Sequence, residues 1–355
     1  MKLSEVSKDA GKQKVMVDAS SSWLLDIKYP GDEKNWATLD VDAGLEGKGE
    51  VTISYGANNS GKRRDLTLIG TCGKKVSVWH FSQSNSPKES FPNDVRPSQV
   101  GNWLEMPAVS ESDGLCFFSH RHTIRGSESR DWSFYYDIDN KVAHWVAYPL
   151  NRGLIGGNVG RTDAWGYDPI IPNKYQSNLS RSYNGRKWQR GHQLPSADRQ
   201  IRKENEQTFY YTNMTPQNGQ LNTGEWAGLE GRVRSWALKF DTLYVVTGCT
   251  MYNKLSEVTY DASGQRCPIP GGYFKALLGY SKGGTASNFT ATTGGYTSIA
   301  FYFDNRPASD VMSHAMTVEQ LENKTGIDFF VNLPSKIGET LAKKVESAND
   351  DFWKK

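Results

Sequence analysis

The stretch "FYYTNMTPQNGQLNTGEWAGLEGRVRSWALKF", Phe209 to Phe240, decides how the larger part of this 355-residue chain is read. Trp226, Leu229, Val233, Trp236 and Phe240 recur at spacings of three and four, which predicts an amphipathic helix running from Thr223. Glu230 and Arg234 are four apart, share one face, and lie at the edge of that apolar stripe. Polar groups at such a boundary reach a cleft while the stripe is buried. Asn222 stands just before the helix. Asparagine there is usually an N-cap, and its side-chain oxygen can alternatively serve a hard cation. Strands flank the helix on both sides. "WSFYYDIDNKVAHWVAYPLN", Trp132 to Asn151, reads as a hairpin of two alternating strands around an Asp-Asn turn. "TLYVVTGC" and "YTSIAFYF" are further strands, and "TVEQLENKTG" is a second helix, with Thr317 as its start signal and Gly326 as its stop. Strands, a helix and more strands without regular βαβ alternation give an α+β class.

Composition narrows the functional classes. The net charge is only +3, so a site for a polyanion has to be a local patch. No window approaches the roughly eighteen apolar residues of a membrane helix, and "MKLSEVSKDAGKQK" lacks the apolar stretch of a signal peptide. The four cysteines are Cys72, Cys116, Cys249 and Cys267, with no Cys-x-x-Cys pair that would suggest a zinc ribbon. Cys249 and Cys267 are near enough in sequence to bridge a loop, in an exported protein especially. His120, His122, His144 and His314 read as structural or surface residues. The His-x-His at 120 and 122 has no third ligand nearby in sequence.

Residues 1–84 carry a different texture. "KVMVD", "EVTISY", "DLTLIG" and "VSVWHFSQ" are β-branched and alternating, joined by the turns "DAGLEGKGE" and "GANNSGKR". This pattern predicts a small β-sandwich. The polar run around residues 85–98 reads as a linker to a second domain at 99–355. "SSWLL", "WATLDVDAGLEGKGEVTISYGANNSGKRRDLTL" and the closing "VWHFSQ" resemble the BACON family, immunoglobulin-like sandwiches of secreted bacterial proteins. That resemblance implies glycan or cell-surface contact. The plainer expectation is a spacer, since no cluster of exposed aromatics is identifiable.

The chemistry centres on "KWQRGHQLPSADR", Lys187 to Arg199. Seven Lys or Arg and one acid, Asp198, fall between Arg181 and Lys203. Such a run is either a solvated face or a phosphate-binding strip. In a strand, Arg190 and His192 point to one side. A neighbouring cation keeps an imidazole neutral, as a general base requires. Gly191 allows close approach of a ligand. A plain structural histidine stays open at this point.

"RGHQLPSA" followed by "TNMTPQNGQLNTGEWAGLEGRVR" resembles the DNA/RNA non-specific endonuclease family of the ββα-metal class. The likeness extends over about residues 115–340 and takes in the hairpin, "VVTGC", "PIPGGYFKALL" and "TGIDFF". It implies a central, mainly antiparallel sheet flanked by helices. His192 matches the family's general base, and Asn222 the single protein ligand of a magnesium ion, with manganese as a substitute. Glu230 matches the acid that holds a water of that ion. Arg190 and Arg234 match phosphate-touching arginines, and Arg161, in "GRTDAWGYDP", an upstream one. Asn213 matches an asparagine that supports the site. Implied substrates are DNA and RNA, with a 5′-phosphate product. Gln189 departs from the family, which usually has Asp before the arginine. Both resemblances imply a secreted, cell-surface or periplasmic protein. The competing readings are a carbohydrate-binding or attachment protein with an inert nuclease-like domain, and a thiol enzyme using Cys249 or Cys116.

Overall fold

Trp226, Leu229, Val233 and Trp236 are all buried, and the helix they define runs Glu225–Ala237. It therefore begins two residues later than the stripe predicts. Thr223 instead ends a separate short helix, Gly219–Thr223, and Gly224 stands between the two. The computed structural model describes residues 6, 8–30, 35–60, 63–83, 102–109, 115–124, 127–251, 257–282 and 293–354. The expected linker at 85–98 lies outside the described residues. The backbone separates into two units, residues 1–91 with 110–115 and residues 92–109 with 116–355.

In the first unit, two antiparallel sheets share one core. Gly47–Tyr55 lies between Gly11–Ala19 and Ala37–Leu39. The second sheet is ordered Ala43–Gly44, Trp23–Lys28, Arg64–Cys72, Lys75–Gln83. Val15, Val51 and Ile53 meet Leu25, Leu66, Leu68 and Phe81 in its interior. All four strands expected from alternation are present. Trp23–Lys28, with the same alternating burial, and the short strands Ala37–Leu39 and Ala43–Gly44 are additional to them.

The second unit is built on a seven-stranded sheet. Its order is Ala315–Met316, Tyr296–Asp304, Gly272–Tyr280, Thr242–Thr250, Val142–Leu150, Ser127–Asp137, Leu115–Ile124. Pairing from Ser127–Asp137 to Ala315–Met316 is antiparallel throughout. Its middle strands are buried on both faces, so the alternation expected of the hairpin is lost in Val142–Leu150, where seven of nine residues are buried. The hairpin turn is organised by Asp137, whose Oδ1 accepts from the backbone of Asp139 and Asn140 at 3.1 and 2.8 Å.

Helices cover both faces. Trp226 packs edge-on against Tyr273 and Phe303, and Trp236 stacks on Phe301, which seats Glu225–Ala237 on one face. On the other face, Ser298 Oγ donates to the Val345 carbonyl of helix Glu339–Glu346. Helix Val318–Thr325 has the capping box of Thr317 and Gln320 and ends at Gly326 with φ 67°, as its start and stop signals predict.

A two-stranded ribbon, Trp188–His192 paired with Met214–Asn218, is fastened to the face that carries Trp226. Tyr273 Oη lies 2.9 Å from Thr215 Oγ1 and 3.0 Å from the Pro216 carbonyl. Asn305 adds a clamp: its Nδ2 donates to Pro216 and Pro270, and its Oδ1 accepts from the Asn218 N–H. Ribbon and helix are thus both tied to Tyr273.

Candidate active site

His192 closes the ribbon strand, opposite Met214. Its ring meets Trp165 and Phe209 edge-on, with centroids 5.5 and 5.2 Å away. Nε2 is buried and, among the described residues, has no hydrogen-bond partner. Removal from water lowers the imidazole to about 3, aided by the charges of Arg161 and Arg190 and opposed by a hydrogen bond with the Arg190 backbone. The ring is therefore neutral through the physiological range, with Nε2 unengaged. Arg190 is not pointing freely into solvent. Its Nη1 donates to the Leu179 carbonyl at 2.9 Å, and its guanidinium lies 3.5 Å from the centre of the Trp165 ring. Arg161 is exposed, pairs with Asp163 at 2.8 Å, and sits over Phe209 at 4.8 Å.

Gly191 has a different role from the one its sequence setting suggests. A Cβ there would come 2.5 Å from Oε1 of Gln217 and 2.6 Å from its Cβ. The space belongs to the cross-strand Gln217 side chain.

Asn222 is not a helix cap. It lies inside Gly219–Thr223, and Asn218 caps that helix by accepting from Gln220 and Leu221. Asn222 Nδ2 donates to Gln189 Oε1 at 2.8 Å. Among the described residues, its Oδ1 has no hydrogen-bond partner. Asn213 is wholly buried and fully used. Its Nδ2 donates to the Leu194 and Thr208 carbonyls, and its Oδ1 accepts from the Leu194 N–H. It shapes the turn after His192 with both polar side-chain atoms engaged by the protein, a supporting position beside the base and not a substrate contact.

Glu230 and Arg234 share the helix face, as their spacing predicts. Arg234 Nη1 reaches Asp198 Oδ1 at 3.1 Å, and Tyr148 Oη donates to Asp198 Oδ2 at 2.9 Å. Glu230 is raised above the ordinary carboxylate range by burial, and Lys275 is the strongest influence the other way. Arg161 acts electrostatically on both Glu230 and His192.

Lys275 and Asp198 are the parts that sequence reasoning missed. Lys275 is buried on strand Gly272–Tyr280. A lone lysine inside the apolar run "GYFKALLGY" is the signal that marks it. The basic run also divides. Arg199 is fully buried, its Nε 2.5 Å from Asp131 Oδ1, so this arginine grips the protein interior and not a phosphate.

The other candidates separate cleanly. Cys249 and Cys267 are both thiols, not bridged to each other, and Cys249 Sγ donates to the Ala143 carbonyl at 3.4 Å. Burial raises the Cys249 thiol far above the range of a nucleophile. His120 contacts Asp168 at 2.9 Å and stacks on Trp132, a buried structural role. Among the described residues, no group of three or more His, Cys, Asp or Glu could hold a metal ion. A thiolate- or imidazole-rich centre is thus not what these residues provide. The donor set that remains is one neutral amide oxygen with a carboxylate on the adjoining helix. That suits a hard ion which keeps most of its own waters.

A neutral, half-buried imidazole, arginines on aromatic faces, and an amide oxygen with a half-buried acid are groups able to bind and hydrolyse an anionic substrate. The sequence model of the DNA/RNA non-specific endonuclease family matches residues 124–336, and the chain belongs to that family. It is similar to a nuclease of Nostoc sp., 30% identical over 216 residues, covering 60% of this chain and 75% of that protein. It is also similar to a nuclease of Serratia marcescens, 30% identical over 241 residues, covering 66% and 81%. A solved complex of EndoG with EndoGI matches 62% of this chain and 89% of that one, at 21% identity and a TM-score of 0.47. No helix among the described residues is long and apolar enough to cross a membrane.

Proposed function

We propose that this chain hydrolyses phosphodiester bonds of DNA and RNA without sequence preference. The observation that carries the reading is His192: a neutral imidazole whose Nε2 is buried and, among the described residues, unpartnered, under the charges of two arginines. In this reading Nε2 takes a proton from water as that water attacks phosphorus in line. The P–O3′ bond breaks, leaving a 5′-phosphate and a 3′-hydroxyl. Asn222 Oδ1 would hold magnesium, with manganese able to substitute, and Glu230 orients water beside it. When bound, the ion supplies positive charge against the charge that develops on the phosphate oxygens. Arg190, Arg161 and Arg234 grip the flanking oxygens, each already held by an aromatic face or by Asp198. Contacts of this kind go to the backbone and carry no sequence information. Cleavage should accordingly weaken as salt rises.

The test is a plasmid and RNA digest with magnesium, with EDTA, and with His192→Ala and Asn222→Ala. His192→Ala should lose about 10²–10⁴ in rate. Wild-type protein without EDTA-sensitive cleavage would favour the inert, attachment-protein reading. Variants within a few-fold of wild type would remove the site assignment.

For the remainder of the chain, we propose a BACON-like sandwich at 1–84 acting as a spacer, a linker at 85–98 and the nuclease domain at 99–355, in a protein that works outside the cytoplasm. The spacer reading is supported by the aromatic side chains of the first unit. Trp23, Tyr29, Trp36, Tyr55, Trp79 and Phe81 are each buried or half-buried, which leaves no aromatic platform for a sugar among them. Selective glycan-array binding by the full chain would overturn it.

A further inference from the structure

The Asn222 amide is held at one end only. Its Nδ2 donates to Gln189 Oε1 at 2.8 Å, while among the described residues its Oδ1 has no partner. An amide has two ends in one plane, so fixing the nitrogen fixes the direction of the oxygen. Gln189 is itself well placed to act as the fixed end. Its backbone pairs with Gln217 across the ribbon. Its side chain lies over Gly219, where a Cβ would come 2.9 Å from Gln189 Nε2 and 3.2 Å from its Cδ. The Gly219 N–H in turn donates to the Lys187 carbonyl at 2.9 Å. The Gln189 side chain thus crosses the start of the short helix because residue 219 has no side chain of its own.

We propose that Gln189 is a positioning residue that sets the Asn222 amide with Oδ1 presented to a divalent cation. This rests on the reading of Asn222 as the cation's ligand. Two properties follow from the acceptor being an amide. It does not titrate, so the hold on Asn222 is the same at every working pH. It adds no negative charge, so the cation keeps its full charge for the phosphate. Partners that orient a metal ligand in this way are typically worth about 10–100-fold in metal affinity. A glutamine that merely filled space could be exchanged for any side chain of equal length.

The experiment is a titration of the full chain with Mn2+ in the absence of nucleic acid, with free Mn2+ read by electron paramagnetic resonance. Wild type is compared with Gln189→Met, Gln189→Glu and Asn222→Ala, and metal-free thermal unfolding checks each fold. Gln189→Met keeps the length and removes the acceptor, and should bind at least about tenfold more weakly. Gln189→Glu restores the acceptor and adds charge, and should bind as tightly as wild type or more so. Gln189→Met binding like wild type while Asn222→Ala loses the ion would overturn the positioning role and leave the ligand intact. Equal losses in Gln189→Met and Gln189→Glu would overturn it as well, because the acceptor would not be what matters. If Asn222→Ala itself binds like wild type, the ligand reading falls and this inference falls with it.

Discussion

Lys275 Nζ donates to Thr247 Oγ1 at 2.6 Å and stands 4.9 Å from the centre of the Trp226 ring, one helical turn before Glu230. A fully buried ammonium is costly unless an opposite charge answers it. Burial lowers Lys275 and raises Glu230, and the attraction between them pulls each back toward its charged form. The charged groups that act on Glu230 are Lys275, Asp198, Arg234 and Arg161, with Lys275 the strongest. If Glu230 works as a carboxylate, activity falls as pH falls through its titration. Lys275→Met removes the charge that lowers that titration, so the acid limb should move to higher pH. Profiles of kcat/KM between about pH 5 and 9 check this. A uniform loss with an unmoved limb would show Lys275 to be structural only.

His192 predicts a pH effect on stability of its own. Its ordinary value is 6.5, and burial holds it at about 3 in the folded chain. Between those limits the unfolded chain takes up a proton that the folded chain refuses. Stability is therefore full above 6.5 and declines as pH falls toward 3. His192→Gln removes this titration. From pH 6.5 to pH 5 wild type should lose about 1–2 kcal/mol more than the variant, at ~1.36 kcal/mol per pH unit. Urea unfolding at the two pH values measures it, and parallel losses in the two proteins would count against it.

Legibility in the sequence followed the range of the forces involved. The stripe Trp226, Leu229, Val233, Trp236 and the Thr317 and Gly326 boundaries are local patterns, and each appears where those patterns place it. Of the two readings open to Asn222, the N-cap falls away because Gly224 breaks one apparent helix into two, and the cap, Asn218, lies four residues earlier. Arg190 and Arg199 are equivalent in a sequence. One lies on Trp165 near His192; the other is drawn inward by Asp131, 68 residues away along the chain. Nothing local distinguishes them, because the deciding partner is brought by the sheet. The same holds for Gly191, whose requirement is set by a residue on the partner strand.

That requirement gives a further prediction. Gln217 is fully buried, and among the described residues neither its Oε1 nor its Nε2 has a hydrogen-bond partner. It packs so closely over Gly191 that Gly191→Ala must push the two strands apart or displace the amide. Overpacking of this kind costs about 1–3 kcal/mol. Gln217→Ala should rescue only part of the loss, because the Gln217 Cβ, 2.6 Å from the new methyl, remains. The functional cost should exceed the stability cost. Gly191 lies between Arg190 and His192 and pairs with Thr215, so strand displacement moves the base and the arginine together. Urea midpoints and kcat for Gly191→Ala, Gln217→Ala and the double variant resolve the two effects. A Gly191→Ala protein with the wild-type midpoint and kcat would mean that Gln217 yields freely and that the glycine is not needed for packing.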